Sequence, residues 1–556
     1  MAKLTIDDAL TPVGLGIDFG TTNCVVSVYL DQESLVIPID GSNVFPTAMM
    51  FEPDLDEPDK LHKVFGIEAK EGATIYPELS VLNVKRRLGT GQKIKLLVDG
   101  RDYQFTPEEI AGEILAYLKD KTLEYLEEEQ GLACEFASCV ITVPANSTDK
   151  QKKMTKDAAV LAGFDEHSTY IRLEPAAAAI NYAVTEPSAK HMLVYDFGGG
   201  TFDACVVGVT TGEHQKEPQI SILSTYGDND LGGNDVDKLI MDMVYEAFKV
   251  LTEDRIDLFT TEPDESPSLT RQKKMAVARL EQAAQKAKER LSAAKSTKVT
   301  LAPFLQEPEI VNINLEITQE AFYAHRRVNQ LTDSAETFQR YTGKNLHDML
   351  AITMECIENC VNASGVAGID EIFLVGGSSA IPLVSEKITD KFGKAPYKAK
   401  LSPALSIAMG ASTYTHLIDQ SQRGMSTAIT VAEKTIHPLG IEVYGRRFFQ
   451  VVSQGLDIPA EGLTIQSEEL FYTNMDDVTS MAIVVYEDTA PAEDLSINRR
   501  GMKRLGGTTL HGIPKAKRGQ EKVKVTFHVD QGNMLTVKAV SESMGLETTL
   551  SVDQLY

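Results

Sequence analysis

Two stretches of the chain share one arrangement of residues: GIDFGTTNCVVSVY, beginning at Gly16, and MLVYDFGGGTFDACVV, beginning at Met192. Each is an apolar run, an Asp-Phe-Gly, a turn of Gly and Thr, and a second apolar run. Gly20, Thr21 and Thr22 in the first turn, and Gly198, Gly199, Gly200 and Thr201 in the second, can present rows of backbone N–H groups. Such rows bind phosphate oxygens. Asp18, Asp196 and Asp203 flank the turns and are hard oxygen donors, suited to Mg²⁺ held through water. Either turn alone is better accounted for by a β-hairpin whose glycines supply positive φ. The repetition is what points to two facing hairpins gripping one triphosphate. A third stretch, LVGGSSAIP, places Gly376, Gly377 and Ser378 between a strand and a helix, a close backbone approach that suits a nucleoside.

The elements that must position these turns alternate in type. Leu15 to about Val28 reads as strand, turn, strand, and ASCVITVPA reads as another buried strand. STDKQKKMTKDAAVLAGF has helical period with a Ser/Thr start and a Gly stop. AAAAINYAV, SLTRQKKMAVARLEQAAQKAKERLSA and LSPALSIAMGASTYTHLI are further helices, the last short and interrupted by a Gly. This alternation implies an α/β architecture. Beyond about Leu417 the texture changes. DQSQRGMSTAITVAEKT is polar and small, a linker. From Ile436 onward, segments such as KVKVTFHVDQGNMLTVKAV alternate with period two, predicting an all-β sandwich. The predicted organisation is residues 1–420, a linker over 421–435, and a sandwich over 436–556.

A chain of 556 residues is too long for one core, so several domains are expected. The net charge of −26 argues against a nucleic-acid binder, and no tract is long and apolar enough to suggest a membrane partner. The basic run INRRGMKRLGG reads as a solvated loop. Six cysteines, several inside apolar runs, and an N-terminus without a signal-like core predict a cytoplasmic protein. Cys356 and Cys360 lie one helical turn apart without a second cluster, so no structural metal is expected.

Taken in order, GIDFGTTN, NVKRRLG, VITVPANSTDKQKK, EPAAAAINYAV, YDFGGGTFD, GDNDLGGNDVD, AKERLS and LVGGSSAIP resemble the ATPase domain of the actin, sugar-kinase and heat-shock superfamily. The resemblance is greatest to the heat-shock protein 70 family. HPLGIEV and GIPKAKRGQEKVKVTFHVDQGNMLTVKA extend it over nearly the whole chain. It implies a two-lobed, actin-like ATPase domain of duplicated RNase H-like halves, followed by a β-sandwich that binds peptides. The helical lid usual after that sandwich is not expected here. ATP or ADP with Mg²⁺, and K⁺ as a further candidate ion, are the implied cofactors. Lys85, Glu174, Asp196 and Thr201 match catalytic positions, with Lys85 orienting the attacking water. Asp18 and Asp203 match carboxylates around hydrated Mg²⁺; Gln285, Lys288 and Ser292 match nucleoside contacts. Ile441, Phe471, Met481 and Ile483 match the peptide pocket, with Tyr444 and Asn474 at the arch over it. Singly, each of these is as readily an inward-facing strand residue.

The sequence departs from the family pattern around the base. Glu289 and Ala380 stand where two cations usually flank adenine, Ala404 stands for an acidic residue, and Asn234 replaces a bridging Glu. The linker offers only Ile429 and Val431 as sizeable apolar residues, and Tyr170 replaces a basic residue that engages J-domain partners. The expected function is a chaperone that couples slow ATP hydrolysis to binding of extended apolar peptides. Its expected partners are unfolded clients, a J-domain co-chaperone and a nucleotide exchange factor. Two rivals are a regulatory or scaffold relative that no longer cycles on clients, and a small-molecule kinase of the superfamily.

Overall fold

The computed structural model describes residues 10–550 except 54–59, 99, 146, 186–189, 211–218, 398–403, 424–429, 433, 436, 460–461, 489–492, 500, 531 and 533. The chain is mixed α/β. Its first large sheet orders Thr169–Leu173, Cys134–Val143, Thr11–Phe19, Asn23–Leu30 and Glu33–Ile37. The second orders Glu371–Val375, His191–Phe197, Phe202–Thr210, Gln219–Asp228 and Thr430–Ala432. Both follow one plan. A parallel neighbour flanks the first strand of a hairpin, and the hairpin's second strand pairs antiparallel with the next.

The two hairpins also share a register. Phe19 pairs with Cys24 and Phe197 with Phe202, so each turn spans four residues, and Asp18 and Asp196 each sit one residue before the closing pair. The apolar runs on either side are buried on both faces, as strands covered by helices must be.

Two helices cross between the sheets. Glu174–Thr185 supplies Ala177, Ala178, Ala179 and Ile180, and Ser406–Gln422 supplies Ile407, Ala411 and Tyr414, to a core shared with Val140 and Val194. The Gly inside the second helix has a packing reason: a Cβ at Gly410 would lie 1.7 Å from the Ala177 carbonyl oxygen. That helix spans 17 residues and is not short. The helix Asp149–Leu161 starts at a Thr148 capping box, and Pro267–Ala293 starts at Ser266, as the Ser/Thr signals predict.

After Gln422 the chain returns as the strand Thr430–Ala432, which extends the second sheet in parallel with Gln219–Asp228 (Ile220 opposite Val431). Ile429 and Ile436 lie outside the described residues. Two antiparallel sheets follow, Arg447–Val452 / Leu439–Val443 / Ser480–Asp488 / Met502–His511 and Leu463–Gln466 / Lys522–Val529 / Leu535–Ser541 / Glu547–Leu550. They share one core that includes Ile441, Val485, Val525 and Phe527. This β module meets the first lobe where the Leu535 N–H donates to Asp149 Oδ2 at 3.1 Å. Among the described residues no helix is long and apolar enough to cross a membrane.

Candidate nucleotide site

The two glycine turns meet across a cleft of about 320 Å³. It is lined by Asp18, Gly20, Thr21, Thr22, Lys85, Glu174, Asp196, Gly198, Gly199, Gly200, Thr201, Gln285, Lys288, Gly376, Gly377 and Ser378. These residues come from widely separated parts of the chain, and the matched sheets bring them together. Asp203 lies behind the lining, buried opposite Asp196 on the neighbouring strand. Ser292 does not line the cleft; its hydroxyl donates back to the Lys288 carbonyl at 3.0 Å.

The turn glycines correct one expectation. None of Gly20, Gly198, Gly199 or Gly200 has positive φ. Gly199 and Gly200 are needed for space against the facing turn, and Gly20 for space within its own, where a Cβ would lie 2.2 Å from the Asn23 carbonyl oxygen. A Cβ at Gly199 would lie 2.1 Å from Thr22 Oγ1, and one at Gly200 2.6 Å from Thr21 Oγ1, so the second turn fits against the threonines of the first only without side chains at these two positions. Gly376 is the position that needs both freedoms: its φ is 77°, and a Cβ would lie 2.6 Å from Asp196 Oδ1.

Lys85 follows Asn83, a residue held at φ 55°, in the short 3₁₀ turn Val84–Arg87. Glu174 is the first residue of its helix, directly after the strand Thr169–Leu173. Lys85 Nζ lies 2.9 Å from Glu174 Oε1, and both are buried. Asp18 Oδ1 accepts from Thr142 Oγ1 at 3.3 Å. Burial first, then the Glu174 charge, raises the Asp18 carboxyl to about 7, against the pull of Lys85. Asp196 is raised well above the ordinary range by burial and by Glu174, Asp203 and Asp18 together. Its Oδ2 is buried without a hydrogen-bond partner among the described residues. Crowded, desolvated carboxylates with an orphaned oxygen, beside backbone turns open to an anion, fit a Mg²⁺–nucleotide. Lys288 donates to the Gly233 carbonyl at 2.9 Å and pairs with Asp237 at 2.9 Å, while Ser378 Oγ donates to the Gly198 carbonyl at 3.0 Å.

Several side chains that join the lobes were not singled out in the sequence. Arg86 donates from the first lobe to the Gly200 carbonyl at 2.7 Å and to Asp235 at 3.1 Å. Its place in NVKRRLG, next to Lys85, was the available signal. Lys70 Nζ donates to Gln285 Oε1 at 2.8 Å, and Gln285 Nε2 donates to Glu289 Oε1 at 2.8 Å. Glu289 and Ala404 line the cleft, whereas Ala380 is exposed and does not. Asn234 accepts from Thr22 Oγ1 at 3.3 Å, a lobe-to-lobe contact at the position of the missing Glu.

In the β module Ile441 and Ile483 are buried in the core, and Phe471 and Met481 pack on it half-buried. Tyr444 (84% exposed) and Asn474 point out from the surface.

Two sheets of one plan closing their turns on a shared acidic cleft, with a β module after them, define a two-domain mixed α/β protein. The family model for Hsp70 protein matches residues 14–555, and the chain belongs to the Hsp70 family. Hsp70 proteins are chaperones in general and ATPases in general, and they bind ATP or ADP with Mg²⁺.

Proposed function

We propose that this cleft binds ATP with Mg²⁺ and hydrolyses it slowly, and that the β module binds extended apolar peptides in step with that cycle. One observation carries the reading: the buried Lys85–Glu174 pair stands in the same cleft as both glycine turns and the raised carboxyls of Asp18 and Asp196. Bound there, Mg²⁺ would supply charge neutralisation for the transferring phosphoryl group. The chain's residues do the rest. Glu174 holds the Lys85 ammonium in place, Lys85 orients the attacking water, and Thr201 offers a hydroxyl beside the terminal phosphate. Asp18 and Asp203 would hold the hydrated ion through water, and Asp196 and Glu174 would hold its bound water as well. Gln285, Lys288 and Ser378 take the nucleoside end, with Ser292 steadying the helix through Lys288. Positioning supplies most of the catalysis in such transfers.

In the β module Ile441 and Ile483 form the floor of the peptide site, Phe471 and Met481 its sides, and Tyr444 and Asn474 a cover over the peptide backbone. The domains are 1–420, 421–435 and 436–556, and the strand Thr430–Ala432 with the Asp149–Leu535 contact is the route between them. Clients are unfolded polypeptides, with a J-domain protein and an exchange factor as helpers in the cytoplasm. A regulatory relative that holds nucleotide without cycling is the second reading. It is favoured by Gln285, whose amide is already engaged by Lys70 and Glu289. Steady-state ATP turnover with and without an unfolded apolar peptide separates the two: peptide stimulation supports the cycling chaperone, and none supports the regulator.

A further inference from the structure

The cleft continues beyond its phosphate turns. Thr21, Lys85, Pro144 and Thr201 line it, and the same four line a second cavity of about 220 Å³ on their far side. Ser147 and Asn229 at the end of that cavity also line a third, of about 310 Å³. The third lies between both lobes and the β module, and Asp149, Lys152, Thr225, His437, Glu487 and Lys503 face it. Three spaces thus follow one another from the terminal-phosphate end of the cleft to the domain junction.

The third space carries groups that can hold an anion, beside two carboxylates, Asp149 and Glu487. Thr225 is 1% exposed, and its Oγ1 has no hydrogen-bond partner. The helix Asp149–Leu161 begins here, with its cap residue Thr148 on the wall. Helix N-termini favour negative charge. Lys152, 4% exposed, holds Asp149 at 3.4 Å, and Lys503 holds Glu487 at 3.6 Å. The passage adds Arg86 and Gln151 as donors, with Asp230 as its acid.

A nucleoside diphosphate remaining in the cleft would stand between the cleaved phosphate and the mouth at Gln285 and Glu289. The inner end would then be the open side. We propose that inorganic phosphate leaves the cleft through this inner passage and is held in the cavity beneath the β module before it reaches solvent. The proposal rests on the reading of the cleft as an ATPase. It makes the junction a place where product occupancy and domain docking meet, since Leu535 closes the cavity from the β module while its N–H holds Asp149.

The test uses the full chain and three readouts. In a single turnover, quenched samples report ATP cleavage and a fluorescent phosphate sensor reports phosphate in solution. Equilibrium dialysis with labelled inorganic phosphate in the presence of ADP and Mg²⁺ reports the cavity alone. Wild type should release phosphate later than it cleaves ATP. Ser147→Leu, which fills the passage, should lengthen that delay with cleavage unchanged. Thr225→Val, which keeps shape and removes the hydroxyl, should weaken phosphate binding about fivefold, the worth of one hydrogen bond. Phosphate appearing in step with cleavage in wild type and Ser147→Leu, or dialysis unaffected by Thr225→Val, overturns the proposal. Should wild type cleave no ATP, the ATPase reading fails by itself, and the dialysis arm still decides the cavity. If Ser147→Leu does not fold, Thr225→Val carries the decision.

Discussion

Lys85 and Glu174 meet as a buried ion pair, 2.9 Å from nitrogen to oxygen, although 89 residues separate them in the chain. Each side chain is 9% exposed. The contact ties a short 3₁₀ turn of the first lobe to the start of the helix that crosses between the sheets. It also sets a cation beside Asp18 and Asp196, whose carboxyls burial pushes up.

Removing the cation should therefore affect chemistry and stability together. Lys85→Ala should slow ATP cleavage by about a hundredfold or more, the size of a lost positioning effect. Leaving Glu174 buried and unpaired should cost about 3 kcal/mol in the nucleotide-free protein. Single-turnover cleavage and urea unfolding check the two effects, with nucleotide binding retained.

The carboxyls predict an unusual pH dependence. Asp18 titrates at 3.8 when exposed and at about 7 in the fold, so the folded state favours its protonated form. Its contribution is full below the unfolded value and is lost as pH rises through about 7. Without nucleotide or metal, the protein should lose on the order of 4 kcal/mol between those limits from this group. Asp196 works in the same direction. Asp18→Asn should flatten the profile, and added Mg²⁺ should restore stability at high pH. Urea midpoints at pH 5 and pH 8, with and without Mg²⁺, give the check, and stability rising steadily with pH would contradict it.

Gly199 and Gly410 should both resist substitution, for different reasons. Gly199→Ala pushes on Thr22 across the cleft, so it should weaken nucleotide binding about tenfold by spreading the turns, with a smaller effect on unfolding. Gly410→Ala drives a methyl into the Ala177 carbonyl between two packed helices and should cost about 3 kcal/mol. Calorimetry for the first and denaturant unfolding for the second distinguish a site effect from a core effect.

At the base end, Glu289, which lines the cleft where Ala380 does not, is the position to test: Glu289→Arg should tighten ATP binding by about 1 kcal/mol through stacking on the purine. Glu289→Arg also removes the acceptor that engages Gln285 Nε2. Calorimetry showing no gain in the folded Glu289→Arg variant would mean that the base is held elsewhere.

The hairpins were legible because their signal is local: an apolar run, an Asp-Phe-Gly and small residues fix strand, turn and burial within a dozen positions. The purpose of their glycines was not. Positive φ is the usual reason for a turn glycine, but for Gly199 and Gly200 the reason is another chain segment about 180 residues away, which no local pattern records. The same holds for Arg86, for the Lys70–Gln285–Glu289 relay, and for the strand Thr430–Ala432, which reads as linker until Gln219–Asp228 gives it a partner. Ser292 was matched through the resemblance alone. It lies one helical turn from Lys288, and its hydroxyl donates back to the Lys288 carbonyl.

Single-turnover cleavage of bound ATP, followed with and without an unfolded apolar peptide, tests most directly whether this cleft is a working ATPase coupled to the β module. The expected result is slow Mg²⁺-dependent cleavage that peptide accelerates in wild type and that Lys85→Ala slows about a hundredfold or more with or without peptide. Bound ATP that stays intact, or cleavage at one rate regardless of peptide and of Lys85, would contradict it.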